Sequence, residues 1–234
     1  MARRSRLQKC LDALAQHQGV LQGGPPREPW AAILFHNVVP AAEDARRERA
    51  FAALQRATGL TAEGLLAASD ATLSGICGTG PAGLAQVAAL RTCAEQWTSQ
   101  GDPNTLVHLP EAEALGALQA FPNVDAPFAA HLLLLAGTRE RLALEAHGLR
   151  TLIRIGYGLD ENAGNYGQRL DPWLVHESAV DAAEPELDEG AEVRVDASLR
   201  LRALGLALCT KRPQCARCPI ANLCDLSRLI GKNR

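Results

Sequence analysis

Apolar positions recur along this chain at helical spacing, and nowhere do they alternate with polar ones for the length of a strand. Arg3 to His17 reads as an amphipathic helix, broken by Gly19, Gly23, Gly24, Pro25 and Pro26. Trp30 to Val39 is apolar and then meets Pro40. Residues 43–57 set charges around Phe51 and Leu54, the pattern of a surface helix. Leu60–Ala68 and Ala71–Ile76 are shorter pieces, and the CGTGPAG run at 77–83 is a loop before an apolar helix over Leu84–Trp97. In LPEAEALGALQAF, Pro110 suits a first helical position, and Glu111 and Glu113 suit the positive end of a helix.

FPNVDAP is a tight turn, and FAAHLLLLAG, ending at Gly137, is apolar on every side and belongs at a domain centre. A further helix covers Glu145–Ile155, residues 156–172 are loop, and Glu177–Glu192 is an acidic, exposed stretch. The last helix, Ala197–Leu208, leads into a cysteine cluster. The pattern is all-α, in keeping with the abundance of Ala and Leu.

A length of 234 residues allows one large domain or two smaller ones, and 47% hydrophobic with 21% charged residues is ordinary for a globular chain. The net charge of −2 gives no general pull toward nucleic acid, so any such role needs a local basic face. No apolar run is long enough for a bilayer, and MARRSRLQKCLDALAQ lacks the apolar core of a secretion signal. A cytoplasmic monomer is the expectation, nucleoid-associated if the source is prokaryotic. Lysine is confined to Lys9, Lys211 and Lys232.

The chemistry concentrates in CTKRPQCARCPIANLC. Cys209, Cys215, Cys218 and Cys224 stand as C-x5-C-x2-C-x5-C. Four thiolates in so short a stretch can hold an iron–sulfur cluster or a zinc ion, and in a reducing compartment a disulfide pair is the weaker reading. Cys10, Cys77 and Cys93, and likewise His36 and His131, lie on apolar segments and read as core.

The order of parts resembles the endonuclease III branch of the helix-hairpin-helix DNA glycosylases. The family hairpin, roughly L-P-G-V-G-x-K-T-A, has its counterpart in FPNVDAPFA at 121–129. Its V-D-T-H followed by arginine is matched by LEAHGLR at 144–150. Its closing C-x6-C-x2-C-x5-C, which holds a [4Fe–4S] cluster, is matched with a first gap one residue shorter. The resemblance runs from about Pro29 to Cys224. It implies two helical domains with a groove for double-stranded DNA between them. A six-helix domain would span 30–136, and the N-terminal helix within 1–29 would pack on a cluster domain at 137–234.

The resemblance also assigns roles. The four cysteines would hold [4Fe–4S], with zinc the alternative. Lys211, Arg212 and Arg217 would meet DNA phosphates, or else balance the cluster's charge. Asn123, Val124 and Asp125 would present the hairpin backbone to phosphate. Asn tolerates a left-handed turn, but the carboxylate of Asp125 repels phosphate and would equally serve as a helix cap. The position of the family's Schiff-base lysine is Pro127, and nothing between residues 10 and 210 is a lysine, so no lysine-dependent AP-lyase step is expected. Glu145 takes the place of the catalytic aspartate and could stabilise a sugar cation or activate water, or merely sit at a helix start. His147 and Arg150 keep the family's next two positions. In NVVPAAED, residues 37–44, Asp44 survives but the wedge glutamine position falls near Ala41.

Two readings follow: a divergent, monofunctional N-glycosylase of base-excision repair, or a catalytically impaired [4Fe–4S] protein of the same fold that binds DNA or a partner. A zinc-stabilised helical interaction module is a third.

Overall fold

The computed structural model describes residues 4–21, 23–40, 44–159 and 170–232. Ala41 and the side chain of Asp44, the wedge region, lie outside the described residues, as does most of the 156–172 loop. Thirteen α-helices and no strand occur among the described residues. The chain divides into two units, Gly23–Asp125 and Met1–Gln22 with Ala126–Arg234.

The Gly23–Asp125 unit holds α2 (Pro29–Val38), α3 (Asp44–Thr58), α4 (Ala62–Ala67), α5 (Asp70–Cys77), α6 (Pro81–Gln100), α7 (Pro103–Leu106) and α8 (Glu111–Leu118). The starts follow local chemistry. Pro29, Pro81 and Pro103 open helices, where a missing N–H costs nothing, and Thr61, Ser69 and Asp102 accept N–H groups of their own first turns. α2 is the centre. It is buried almost all round and packs against α3, α6 and α7. Its Trp30 meets Trp97 edge-on at 4.5 Å and donates its indole N–H to Leu60 O at 2.6 Å.

The other unit holds α1 (Arg6–Gln18), α9 (Ala126–Leu135), α10 (Ala146–Ile155), α11 (Pro172–Ala183), α12 (Ala191–Ala207) and α13 (Asp225–Lys232). α1 buries Leu7, Cys10, Leu11 and Leu14 among Leu152, Ile155, Val180, Leu201, Leu204 and Ile220. Every residue of α9 from Pro127 to Leu135 is buried, as its uniformly apolar sequence requires. Because α9 packs on α11 and α12, the unit boundary falls at Asp125 rather than at residue 136.

The acidic stretch at 177–192 is only in part the exposed segment its composition suggests. Residues through Ala183 continue α11, and Ala179, Val180 and Ala183 are fully buried at helical spacing. Three of its carboxylates are used internally, whereas Asp181, Asp188, Glu189 and Glu192 are exposed. Glu177 accepts from Arg141, Glu184 from Arg194 and the N–H of Leu142, and Glu186 from the N–H of Leu7 and the hydroxyl of Tyr157. These three acidic residues satisfy donors that other segments bring against them. The last long helix accordingly starts at Ala191 instead of Ala197.

Two predictions follow from these buried polar groups. Glu184→Ala leaves the Leu142 N–H without its acceptor and Arg194 without its carboxylate partner, which should cost about 1–3 kcal/mol, read from the denaturant midpoint; an unchanged midpoint would restore the exposed-stretch reading. The second concerns pH. Burial pushes the pKa of His176 down to about 4, Glu177 opposing and Arg139 and Arg141 adding to the fall, and burial lowers that of His131 as well. An unfolded histidine titrates near 6.5, at about that pH. Below it the unfolded chain binds protons that the folded chain does not. Stability therefore drops as pH falls from about 6.5 toward about 4, by at most about 1.4 kcal/mol per pH unit for each histidine. His176→Gln should flatten that slope in denaturant titrations at successive pH values.

Candidate functional site

Past α12 the chain is held in a compact loop by its own backbone. The N–H of Cys209 donates to Leu204 O at 2.8 Å and that of Gln214 to Leu208 O at 2.9 Å. Single 3-10 turns follow at Cys215–Arg217 and Ala221–Leu223. None of Cys209, Cys215, Cys218 and Cys224 is in a disulfide, and all four line one small cavity of about 20 Å³, walled by apolar groups including Ile155, Leu204, Leu208, Pro213 and Ile220. Among the described residues no three His, Cys, Asp or Glu side chains are arranged to hold a single metal ion as they stand. Burial raises the pKa of Cys218 and Cys224. Backbone N–H groups, of Ile220 at Cys218 and of Ser227 and Leu226 at Cys224, oppose the rise, and the neighbouring thiols add to it. Four soft donors around one apolar-walled cavity, with N–H groups directed at sulfur, suit a thiolate-bound inorganic centre. Lys211, Arg212 and Arg217 are exposed on this loop, Arg217 donating to Gln214 Oε1 at 2.9 Å.

α10 links this loop to Glu145. Glu145 is the N-cap of α10, only 9% exposed, and its Oε1 accepts the N–H groups of His147 at 3.0 Å and Gly148 at 2.9 Å. A turn later, Arg150 donates to Cys209 O at 3.0 Å, to Gly205 O at 2.8 Å and to His147 Nδ1 at 3.1 Å. Arg154 donates to Thr210 O at 2.6 Å, Cys209 O at 3.1 Å and Cys209 Sγ at 3.5 Å. From the other end Arg6 of α1 donates to Leu223 O at 2.9 Å and pairs with Asp225 at 2.9 Å, gripping both sides of Cys224. The close approach of α10 to α12 that permits this requires glycine. A Cβ on Gly205 would stand 2.4 Å from His147 O.

The hairpin residues lie in the Gly23–Asp125 unit. Val124 N–H closes a turn onto Phe121 O at 3.2 Å, and Asn123 adopts the left-handed conformation with φ 60°. The Asn123 amide donates to Asn37 Oδ1 at 2.7 Å, and Asn37, itself fully buried, donates to Ile33 O and Pro122 O. Val124 is buried and Asp125 exposed, immediately before α9. Pro127 is buried in α9.

Of the residues singled out from sequence, the structure thus gathers Glu145, His147, Arg150 and Cys209 on one ladder and surrounds one cavity with the four cysteines. Cys10, Cys77, Cys93 and His131 are buried, whereas His36 is half-buried. Arg154, Arg6, His176 and the buried Arg202 went unremarked in the sequence, because a side chain whose surroundings come from across the fold leaves no local pattern.

The sequence matches no protein-family model and no curated protein. Its fold is matched by solved structures. One is endonuclease III trapped as a covalent intermediate with DNA, an estranged-adenine complex, at TM-score 0.68 and 15% identity over 100% of both chains. A thermostable thymine-DNA glycosylase matches at 0.64 and 14% over 96% of this chain and 97% of its own. A non-covalent endonuclease III–DNA complex matches at 0.63 and 15% over 99% and 100%. No helix among the described residues is long and apolar enough to cross a membrane. The all-α fold of this chain is that of endonuclease III.

Proposed function

We propose that this protein is a DNA N-glycosylase of base-excision repair that removes a base without the lysine-dependent lyase step. The observation that carries the reading is Glu145, fixed at the head of α10 on the same helix that grips the first cysteine of the loop. In this reading Oε1 is committed to the two backbone N–H groups and holds the carboxylate still. Oε2 then faces the sugar, where its charge stabilises the oxocarbenium ion as the base departs, or takes the proton of the attacking water. Pro127 offers no amine, so no Schiff base forms and the abasic strand stays intact.

Cys209, Cys215, Cys218 and Cys224 would hold the [4Fe–4S] cluster, zinc being the alternative. When bound, the cluster supplies a rigid cross-link among four points of the loop. The loop's own cations, Lys211, Arg212 and Arg217, would bind duplex phosphates, with affinity falling steeply with salt. The turn at Asn123 and Val124 would offer its backbone to phosphate, and His147 would lie beside the DNA while its Nδ1 serves Arg150.

A second reading, a non-catalytic [4Fe–4S] DNA-binding protein of this fold, is favoured by Asp125, whose exposed carboxylate occupies a turn that should meet phosphate.

Purified without oxygen, the protein should be brown, with a broad visible band and stoichiometric iron and sulfide, and Cys215→Ser should lose the band; colourless, zinc-containing protein would replace the cluster by zinc. On duplexes bearing uracil or oxidised pyrimidines, strand breaks should appear only after alkali, and borohydride should trap no covalent complex. Glu145→Gln should lower the single-turnover rate about 100-fold or more. No product on any lesion would establish the second reading, and a borohydride-trapped adduct would refute the missing-amine argument.

A further inference from the structure

Glu145 is delivered to α10 by a short extended strap, residues 139–145, with no regular secondary structure of its own. Such a segment cannot satisfy its polar backbone groups by a ladder, and Leu142, Ala143 and Leu144 are all fully buried. Three side chains from elsewhere in the same unit take these groups in turn. Glu184, just past α11, accepts the Leu142 N–H at 2.9 Å. His131, on α9, meets Ala143 O through Nδ1 at 3.1 Å. His176, on α11, accepts the Leu144 N–H through Nε2 at 3.1 Å.

These bonds fix both tautomers. A carbonyl only accepts, so His131 carries its proton on Nδ1. Its Nε2 is buried with no hydrogen-bond partner among the described residues, in the field of Glu145 and Arg202. His176 must keep Nε2 bare to receive Leu144, so its proton is on Nδ1 and goes to Glu177 Oε1 at 3.1 Å. Glu177 is held in turn by Arg141, and Arg139 also faces this group. Trp173 lies flat on the His176 ring, 5.3 Å between centroids at 14°, and limits its rotation. Either imidazole in the other tautomer would turn a donor toward an N–H or a lone pair toward a carbonyl.

We infer that His131 and His176 are positioning residues for Glu145: two neutral imidazoles, from α9 and α11, that hold consecutive backbone groups of the strap and so set where the carboxylate enters α10. The inference rests on the reading of Glu145 as the reacting group. It adds to that reading what aims the longer glutamate side chain, for which a displacement of about 1 Å can cost about 100-fold in rate.

The test uses the full chain with its cluster loaded. In the unmodified protein, side-chain nitrogen NMR should show both imidazoles protonated on Nδ1; a proton on His176 Nε2 would overturn the inference outright. His131→Leu and His176→Leu remove the bonds, whereas His131→Asn keeps a donor near Nδ1 and His176→Gln an acceptor near Nε2. The leucine variants should speed amide hydrogen exchange at Leu144, His147 and Gly148 by about 10-fold or more, with exchange in α2 and α6 unchanged. Their single-turnover rate should fall about 100-fold with DNA affinity kept, and the amide variants should recover most of both. Faster exchange with an undiminished rate, while Glu145→Gln abolishes the rate, would refute positioning and leave the glycosylase reading standing. If Glu145→Gln or the unmodified protein shows that Glu145 does no chemistry, the glycosylase reading fails, and the exchange data alone decide the strap: unchanged exchange refutes its anchoring by histidine, and faster exchange rescued by the amides upholds it.

Discussion

The contact between α10 and α12 holds together the part of this molecule that carries Glu145 and the four cysteines. Gly205 removes the side chain that would otherwise stand between the backbones, where a Cβ would meet His147 O far inside van der Waals contact. Only at that separation can Arg150 reach both Gly205 O and Cys209 O, and Arg154 reach Thr210 O. The same helix pair therefore fixes the head of α10, where Glu145 sits, and the foot of α12, from which the cysteine loop departs.

The loop itself has little internal structure. Two single 3-10 turns and a few backbone bonds cannot order four cysteines against the entropy of so short a coil. Guanidinium groups bound to carbonyls do so instead, at Cys209 from α10 and at Leu223 from Arg6 of α1. Bare thiolates in this apolar setting are unfavourable, as the raised pKa values of Cys218 and Cys224 show, and a cationic centre bound to them would remove that penalty. Loop, N-terminal helix and bound centre thus form one cooperative assembly in the proposed holoprotein.

Much of this was legible in the residues. Apart from the four-residue α7, which the sequence reading did not anticipate, the helices of the Gly23–Asp125 unit follow the apolar periodicity to within a few positions, because proline, glycine and side-chain caps mark their ends locally. α9 declared its burial by having no polar face. The cysteine spacing pointed to a shared centre; all four thiols line one cavity, but no three described His, Cys, Asp or Glu side chains are arranged to hold a metal ion as they stand. Asn123 declared its left-handed turn. The stretch from 177 to 192 misled because acidic composition was read as solvation. Glu177, Glu184 and Glu186 face Arg141, Arg194 and the N–H groups of Leu142 and Leu7, which no local window contains.

By itself the sequence determined the helical class, the position of the cysteine cluster and the lack of any lysine between residues 10 and 210, since each is a matter of residue type and spacing. Only the tertiary structure decided what Glu145 does within the fold, which histidines hold its strap and which arginines grip the loop. The reason is that a hydrogen bond to a backbone carbonyl or N–H has no sequence preference at its other end. Any residue can supply the partner, so the pairing exists only once the helices have packed.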